Sequence, residues 1–164
     1  MHKTVYIDTS VICHLTDPPS GKLITRACQE LTRQWWEQRC VPELTYVSDA
    51  VIREIMTGNP QRIEQRLDIA NRLIRLPGSE KINTFAELLI LGGGLTAKAW
   101  GPAQHLASAA LRELDIFLTW NCVDIANAEK CRVLRQLMGL KDLELPALAT
   151  PFALMENNYE DTQY

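Results

Sequence analysis

Two carboxylates stand out by where they fall. Asp8 ends the short run Thr4-Val5-Tyr6-Ile7, and Glu54 lies in Val51-Ile52-Arg53-Glu54-Ile55, just after Leu44-Thr45-Tyr46-Val47. Both therefore follow an apolar, β-branched segment closely. Acids that follow neighbouring strands of one sheet arrive at the same edge, and a hard divalent cation needs several oxygens converging on one place. Singly, each acid has a plainer reading: Asp8 as a cap or turn acid, Glu54 as a solvated helical residue. Their shared relation to the starts of two helices is what suggests a divalent-metal site anchored on Asp8.

The pattern of the chain supplies the elements that would bring these acids together. Thr4 to Ile7 does not alternate, as expected of a strand buried on both faces of a parallel sheet. Thr9 and Ser10 then offer a helix N-cap. A turn cluster, Asp17-Pro18-Pro19-Ser20-Gly21, precedes a long helical pattern from about Lys22 to Cys40 that carries Trp35 and Trp36 as core and rim residues. Leu44 to Val47 is a second strand, with Ser48-Asp49 capping a helix to about Met56. Further on the pattern predicts a helix over Gln61–Asn71, a strand over Leu73–Leu76, and helices near Ser79–Leu91 and Thr96–Leu114. It closes with a strand over Ile116–Thr119, a helix from about Asn127 to Met138 and a weak fifth strand near Leu143–Leu145. Gly92-Gly93-Gly94 follows a helix rather than a strand and reads as a C-cap and loop, not a phosphate-binding turn. Strands alternating with helices imply right-handed crossovers and a doubly wound sheet, with ligands beyond the carboxyl ends of its central strands.

Length and composition agree with one α/β domain over residues 1–155 followed by a frayed tail at 156–164. A chain of 164 residues can bury roughly two-thirds of its unfolded surface without staples. The five cysteines have neither CxxC pairing nor zinc-finger spacing and read as reduced structural thiols of a cytoplasmic protein. No secretory signal and no membrane-spanning run is visible. A net charge of −3 argues against a large non-specific nucleic-acid surface. Arg53, Arg62, Arg66, Arg72 and Arg75 read either as a local basic strip or as a solvated helix face.

Four stretches, in order, resemble PIN-domain proteins: Val5-Tyr6-Ile7-Asp8-Thr9-Ser10-Val11-Ile12, Ser48-Asp49-Ala50-Val51-Ile52-Arg53-Glu54-Ile55, His105-Leu106-Ala107-Ser108-Ala109-Ala110 and Asp115-Ile116-Phe117-Leu118-Thr119-Trp120-Asn121-Cys122. The likeness is to the VapC-type toxin group that ends its fourth strand on Thr-Trp-Asn, and it extends to Thr150-Pro151-Phe152-Ala153-Leu154-Met155. The resemblance implies a three-layer, Rossmann-like α/β/α sandwich around a parallel sheet of about four or five strands. It also implies a cluster of acids holding Mg²⁺ or Mn²⁺, hydrolysis of RNA phosphodiester bonds, a small antitoxin protein as partner, and a homodimer. The apolar residues of the Lys22–Cys40 helix are candidates for self-association.

Residue by residue the resemblance is uneven. Asp8 and Glu54 fall on the first and second metal-binding acids. The third opens an Asp-Ala-x-His segment, which here reads Pro102-Ala103-Gln104-His105, so a proline suited to a first helical turn replaces a ligand. Asn121 stands at the fourth acid; its amide oxygen can ligate a hard cation more weakly than an anion. Asp124 could restore some charge or cap a short helix. The catalytic and metal-binding set implied is Asp8, Glu54, Asn121 and Asp124, with weak metal binding. His105 reads as a packed, hydrogen-bonded histidine, and Asp115 as a turn residue at the opposite edge. The alternative function is a PIN-like domain that has lost catalysis with its third acid and binds RNA or protein.

Overall fold

The computed structural model describes residues 2–121 and 128–156. The β-branched and aromatic runs form β1 (Val5–Ile7), β2 (Thr45–Ser48), β3 (Ile74–Leu76), β4 (Ile116–Leu118) and β5 (Ala147–Ala149). They make one sheet in the order β3-β2-β1-β4-β5, with every pairing parallel. Val5 is the register point, opposite Thr45 on one side and Ile116 on the other.

Parallel strands need crossovers, and helices supply them. Between β1 and β2 lie α1 (Thr9–Thr16), α2 (Leu23–Gln38) and a 3-10 turn at Pro42–Leu44; between β2 and β3 lie α3 (Asp49–Ile55) and α4 (Pro60–Ala70). β3 connects to β4 through α5 (Glu80–Leu91) and α6 (Trp100–Leu111), α7 (Ala128–Gly139) precedes β5, and α8 (Pro151–Glu156) follows it. The chain moves outward from β1 to β3 and then returns past β1 to β4 and β5. Right-handed crossovers in opposite directions put their helices on opposite faces. The contacts agree: α1 packs on α2 and α4, α8 on α2, and α5 on α6 and α7. This is the α/β sandwich expected from the sequence. Its centre is filled by Tyr6, Ile7, Phe117 and Leu118, all buried, with Trp35 beneath α2 and Trp36 at the margin.

Local chemistry sets the helix ends near the site. Ser48 caps α3 by accepting from the Val51 N–H, and Ser79 caps α5 by accepting from the Ile82 N–H. α5 ends in a Schellman motif: the Gly93 N–H donates to the Ile90 carbonyl and the Gly94 N–H to the Leu89 carbonyl, with Gly93 at φ 82°. α6 ends the same way, on Glu113 at φ 54°, which stops it at Leu111 rather than Leu114.

Three further expectations are corrected. Asp8 itself, not Thr9 or Ser10, is the N-cap of α1. α6 begins at Trp100 instead of Thr96, because the Ala99 N–H closes a separate turn onto the Thr96 carbonyl. The fifth strand is Ala147–Ala149 and not Leu143–Leu145. The Leu143 N–H is tied to the Met138 carbonyl in the turn that ends α7, so those leucines pack on the core from a loop.

A Cβ on Gly92 would lie 2.5 Å from a Leu137 methyl and 2.9 Å from the Leu88 carbonyl oxygen, a clash that no side-chain rotation relieves alone. Gly92→Ala should therefore lower unfolding free energy by about 1–3 kcal/mol. Gly21 has nothing within 4 Å and no positive φ, and Gly21→Ala should stay within roughly 0.5 kcal/mol of wild type in the same urea titration.

Candidate active site

Asp8 leaves the carboxyl end of β1 with extended backbone and is buried. Its Oδ1 accepts from the N–H of Ser10 at 3.0 Å, the N–H of Val11 at 3.4 Å and the Ser10 hydroxyl at 2.5 Å. Oδ2 accepts from the Thr119 hydroxyl, 2.5 Å away just past β4. The Ser10 and Thr119 oxygens accept in turn from the backbone N–H groups of Trp120 and Asn121. Asp8 thus joins the carboxyl ends of β1 and β4, the switch point where strand order reverses and where open α/β sheets bind ligands. Burial pushes its carboxyl above the ordinary value, opposed by the hydroxyls of Ser10 and Thr119, the charge of His105 and the Val11 N–H.

Glu54 reaches the same crevice from the last turn of α3. Its carboxylate accepts from the Thr9 hydroxyl, one residue past Asp8, and lies 3.0 Å from His105 Nε2 through both oxygens. Gly101 makes room for it: a Cβ there would stand 2.7 Å from Glu54 Oε1. The side chain of Glu54 is 38% exposed and that of His105 4%, so only the glutamate is available to a ligand. Burial pushes the Glu54 carboxyl up, but the His105 hydrogen bond and charge and the Thr9 hydroxyl outweigh it and hold the group below its ordinary value.

Behind Glu54 runs a chain of hydrogen bonds that reasoning from the sequence missed. His105 Nδ1 lies 2.8 Å from the Tyr6 hydroxyl, which lies 2.7 Å from the Ser48 hydroxyl. His105 Nε2 faces the Glu54 carboxylate and Nδ1 the Tyr6 hydroxyl, so both ring nitrogens and both hydroxyls of the chain find a partner. The available signal was Tyr6 itself, since a phenol on a doubly buried strand must find a partner.

The remaining expected residues separate. Asn121 is half-buried beside Thr119. Asp124 lies outside the described residues. Pro102 occupies the first turn of α6, as expected, and His105 is packed and hydrogen-bonded, as expected. Asp115 sits at the opposite edge of the sheet, accepting from the N–H and hydroxyl of Thr4. The arginines do not act as one strip: Arg62 donates to the Thr16 carbonyl, Arg66 pairs with Asp17 at 2.8 Å and Arg75 with Asp49 at 2.5 Å. Burial raises the Cys13 and Cys40 thiols, consistent with structural roles. Among the described residues no three His, Cys, Asp or Glu side chains form a ready metal cluster, and no helix is long and apolar enough to cross a membrane.

The five-stranded parallel sheet with helices on both faces is a fold found among solved structures. One of them is the crystal structure of VapBC2 from Rickettsia felis bound to a DNA fragment from their promoter. It matches with a TM-score of 0.52 and 13% identity, over 90% of this chain and 98% of that one. No protein-family model and no curated protein sequence matches the chain.

Two measurements probe the site. Tyr6→Phe strips a partner from two buried groups, Ser48 Oγ and His105 Nδ1, and should cost about 1–3 kcal/mol in denaturant unfolding. Glu54 has the opposite signature, in pH. Because its folded carboxyl is depressed, the unfolded chain binds its proton more readily. Its stabilisation is therefore complete above the ordinary value of 4.5 and lost as pH falls through the lower folded value. The raised Asp8 carboxyl works in the other direction but is common to both proteins. Between pH 5 and 3, a window of about two units around those values, the wild-type melting temperature should fall more steeply than that of Glu54→Gln. Equal slopes would show that the Glu54 carboxyl is not held below its ordinary value.

Proposed function

We propose that the chain is a PIN-domain protein of the VapC toxin type, of the group marked by Thr119-Trp120-Asn121, and that it hydrolyses RNA phosphodiester bonds with Mg²⁺ or Mn²⁺. The observation that carries this reading is a buried carboxylate, Asp8, at the switch point of the sheet with the more open Glu54 beside it. The fold shared with the VapBC2 structure supports it.

The donor chemistry suits a hard cation. Carboxylate oxygens are gathered with the hydroxyls of Thr9, Ser10 and Thr119, and the missing Cβ of Gly101 lets the first turn of α6 come close to the Glu54 carboxylate. Asp8 and Glu54 would hold the ion, with the Asn121 amide and Asp124 as further oxygen donors. Pro102 contributes none, so a single ion held partly through its own waters is the state this donor set favours. When bound, the ion would stabilise charge building on the phosphate oxygens and lower the pKa of an attacking water.

The protein's own residues provide the frame for that chemistry. The α1 amides and the Thr119 hydroxyl fix Asp8. His105, held by Tyr6, fixes the plane of the Glu54 carboxylate and so acts as a positioning residue. A small antitoxin protein and a second copy of the chain are the partners that belong to the same reading, and a cytoplasmic setting goes with it.

Cleavage of single-stranded RNA with Mn²⁺ or Mg²⁺ tests the proposal. Wild type should cut and EDTA should stop it. Asp8→Asn should lose on the order of a hundredfold in rate, and Pro102→Asp should lower the metal concentration needed. An inert wild type alongside an active Pro102→Asp would overturn the enzyme reading in favour of a domain that binds RNA or protein without cutting.

A further inference from the structure

Beside the candidate site is a cavity of about 290 Å³, near the lower end of ligand-pocket sizes, walled by α3, α5 and α6 at the carboxyl ends of β2 and β3. Asp49, Arg53, Ser79, Ile82, Asn83 and Gln104 are among its walls. The Gln104 amide donates to Asn83 Oδ1 at 2.9 Å, and Arg53 Nη2 donates to Gln104 Oε1 at 3.4 Å. Arg53 precedes Glu54 and Gln104 precedes His105. The two ties between α3 and α6 therefore lie side by side, Glu54–His105 in the candidate site and Arg53–Gln104 in the cavity. We propose that this cavity receives one base of a single-stranded RNA, next to the bond at Glu54, and reads its hydrogen-bonding edge with Asn83, Gln104 and Arg53. This rests on the ribonuclease reading above.

The chemistry of the walls favours a neutral base over a phosphate. Asp49, already paired with Arg75 at 2.5 Å, and Arg53 are the charged side chains lining the cavity and cancel in sum, which leaves no excess positive charge on its walls to hold an anion. The nearby amides are already taken: Gly78 N–H by Asp49 Oδ2 at 2.7 Å and Ile82 N–H by Ser79 Oγ at 3.3 Å. The Asn83 NH₂ has no protein partner among the described residues, and neither do the other N–H groups of Arg53. Carboxamides and guanidinium groups are the side chains that pair with base edges in two-point fashion, and single-stranded RNA presents bases splayed from the stack. Ile82, half-buried, offers an apolar wall to the ring.

Two experiments on the full chain separate this proposal from the one it rests on. Adenosine, cytidine, guanosine and uridine monophosphates are titrated by NMR into wild type, Asn83→Ala and Gln104→Ala. A pool of randomised RNA is then incubated with the same proteins and the cut ends are sequenced. Wild type should bind one monophosphate on the order of tenfold better than the others and shift the Asn83 and Gln104 side-chain amides, and each variant should lose that preference. The cut ends should show the same base beside the cleaved bond in wild type, and the ends that each variant still produces should show a relaxed choice. Cleavage with unchanged base choice in the variants overturns the base pocket and leaves the nuclease standing. Selective binding lost in the variants, with no cleavage by wild type, keeps the pocket and overturns the nuclease. Neither selective binding nor cleavage overturns both. Both side chains are at least partly exposed, and matching melting temperatures verify that the variants are folded.

Discussion

A carboxylate buried at the end of β1 must be fully hydrogen-bonded, because an ionised group taken from water without partners costs several kcal/mol. The arrangement around the crevice follows from meeting that requirement. Asp8 takes two amides and a hydroxyl from the first turn of α1, so the helix must start at Thr9. It takes the Thr119 hydroxyl from beyond β4, so β4 must lie beside β1 with Phe117 opposite Tyr6. Thr119 and Ser10 then receive the backbone of Asn121 and Trp120, which shapes the far lip of the crevice. One charge therefore sets a helix start, a strand neighbour and the path of a loop.

The second constraint is the close approach of α6 to α3. Small residues on α6, Ala103, Ala107 and Ala110 among them, are buried and let the helix lie near the sheet, and Gly101 lets its first turn touch the Glu54 carboxylate. Pro102 belongs to the same turn. It costs the helix no hydrogen bond there, while removing the charge that the PIN-like pattern would supply. His105 stands one turn further on and meets Glu54 instead. The site consequently contains two acids held by hydroxyls and an imidazole, a balance in which the carboxylates are stable without a cation. That is the physical reason for weak metal binding in the proposed function.

The buried chain from Ser48 through Tyr6 and His105 to Glu54 links these two constraints. It passes through β1 and β2 and ends on α6 and α3, so the strand that presents Asp8 also fixes the partner of Glu54. A fully satisfied polar network in a low-dielectric interior rigidifies what it connects. The more exposed Glu54 is therefore aimed by groups that never reach solvent.

Much of the architecture was legible in the sequence because its signals are local. Short runs of β-branched, aromatic and leucine side chains marked four of the strands, Ser48 and Ser79 marked helix starts, and Gly92-Gly93-Gly94 marked a helix end. The fifth strand was misread because Leu143 and Leu145 mimic a strand while a turn fixed by the Met138 carbonyl removes them from the ladder. Ala147–Ala149, with little side chain to advertise burial, takes their place. Asp8 and Glu54 were legible as candidates from their positions after strands. Their partners were not, since Thr119, Tyr6 and His105 are distant in the chain and only the strand order β2-β1-β4 brings them together. The sequence by itself determined which residues could carry charge, cap a helix or ligate a cation. The tertiary structure decided which of those capacities are engaged, because a hydrogen bond to a buried group depends on a distance that no spacing along the chain specifies.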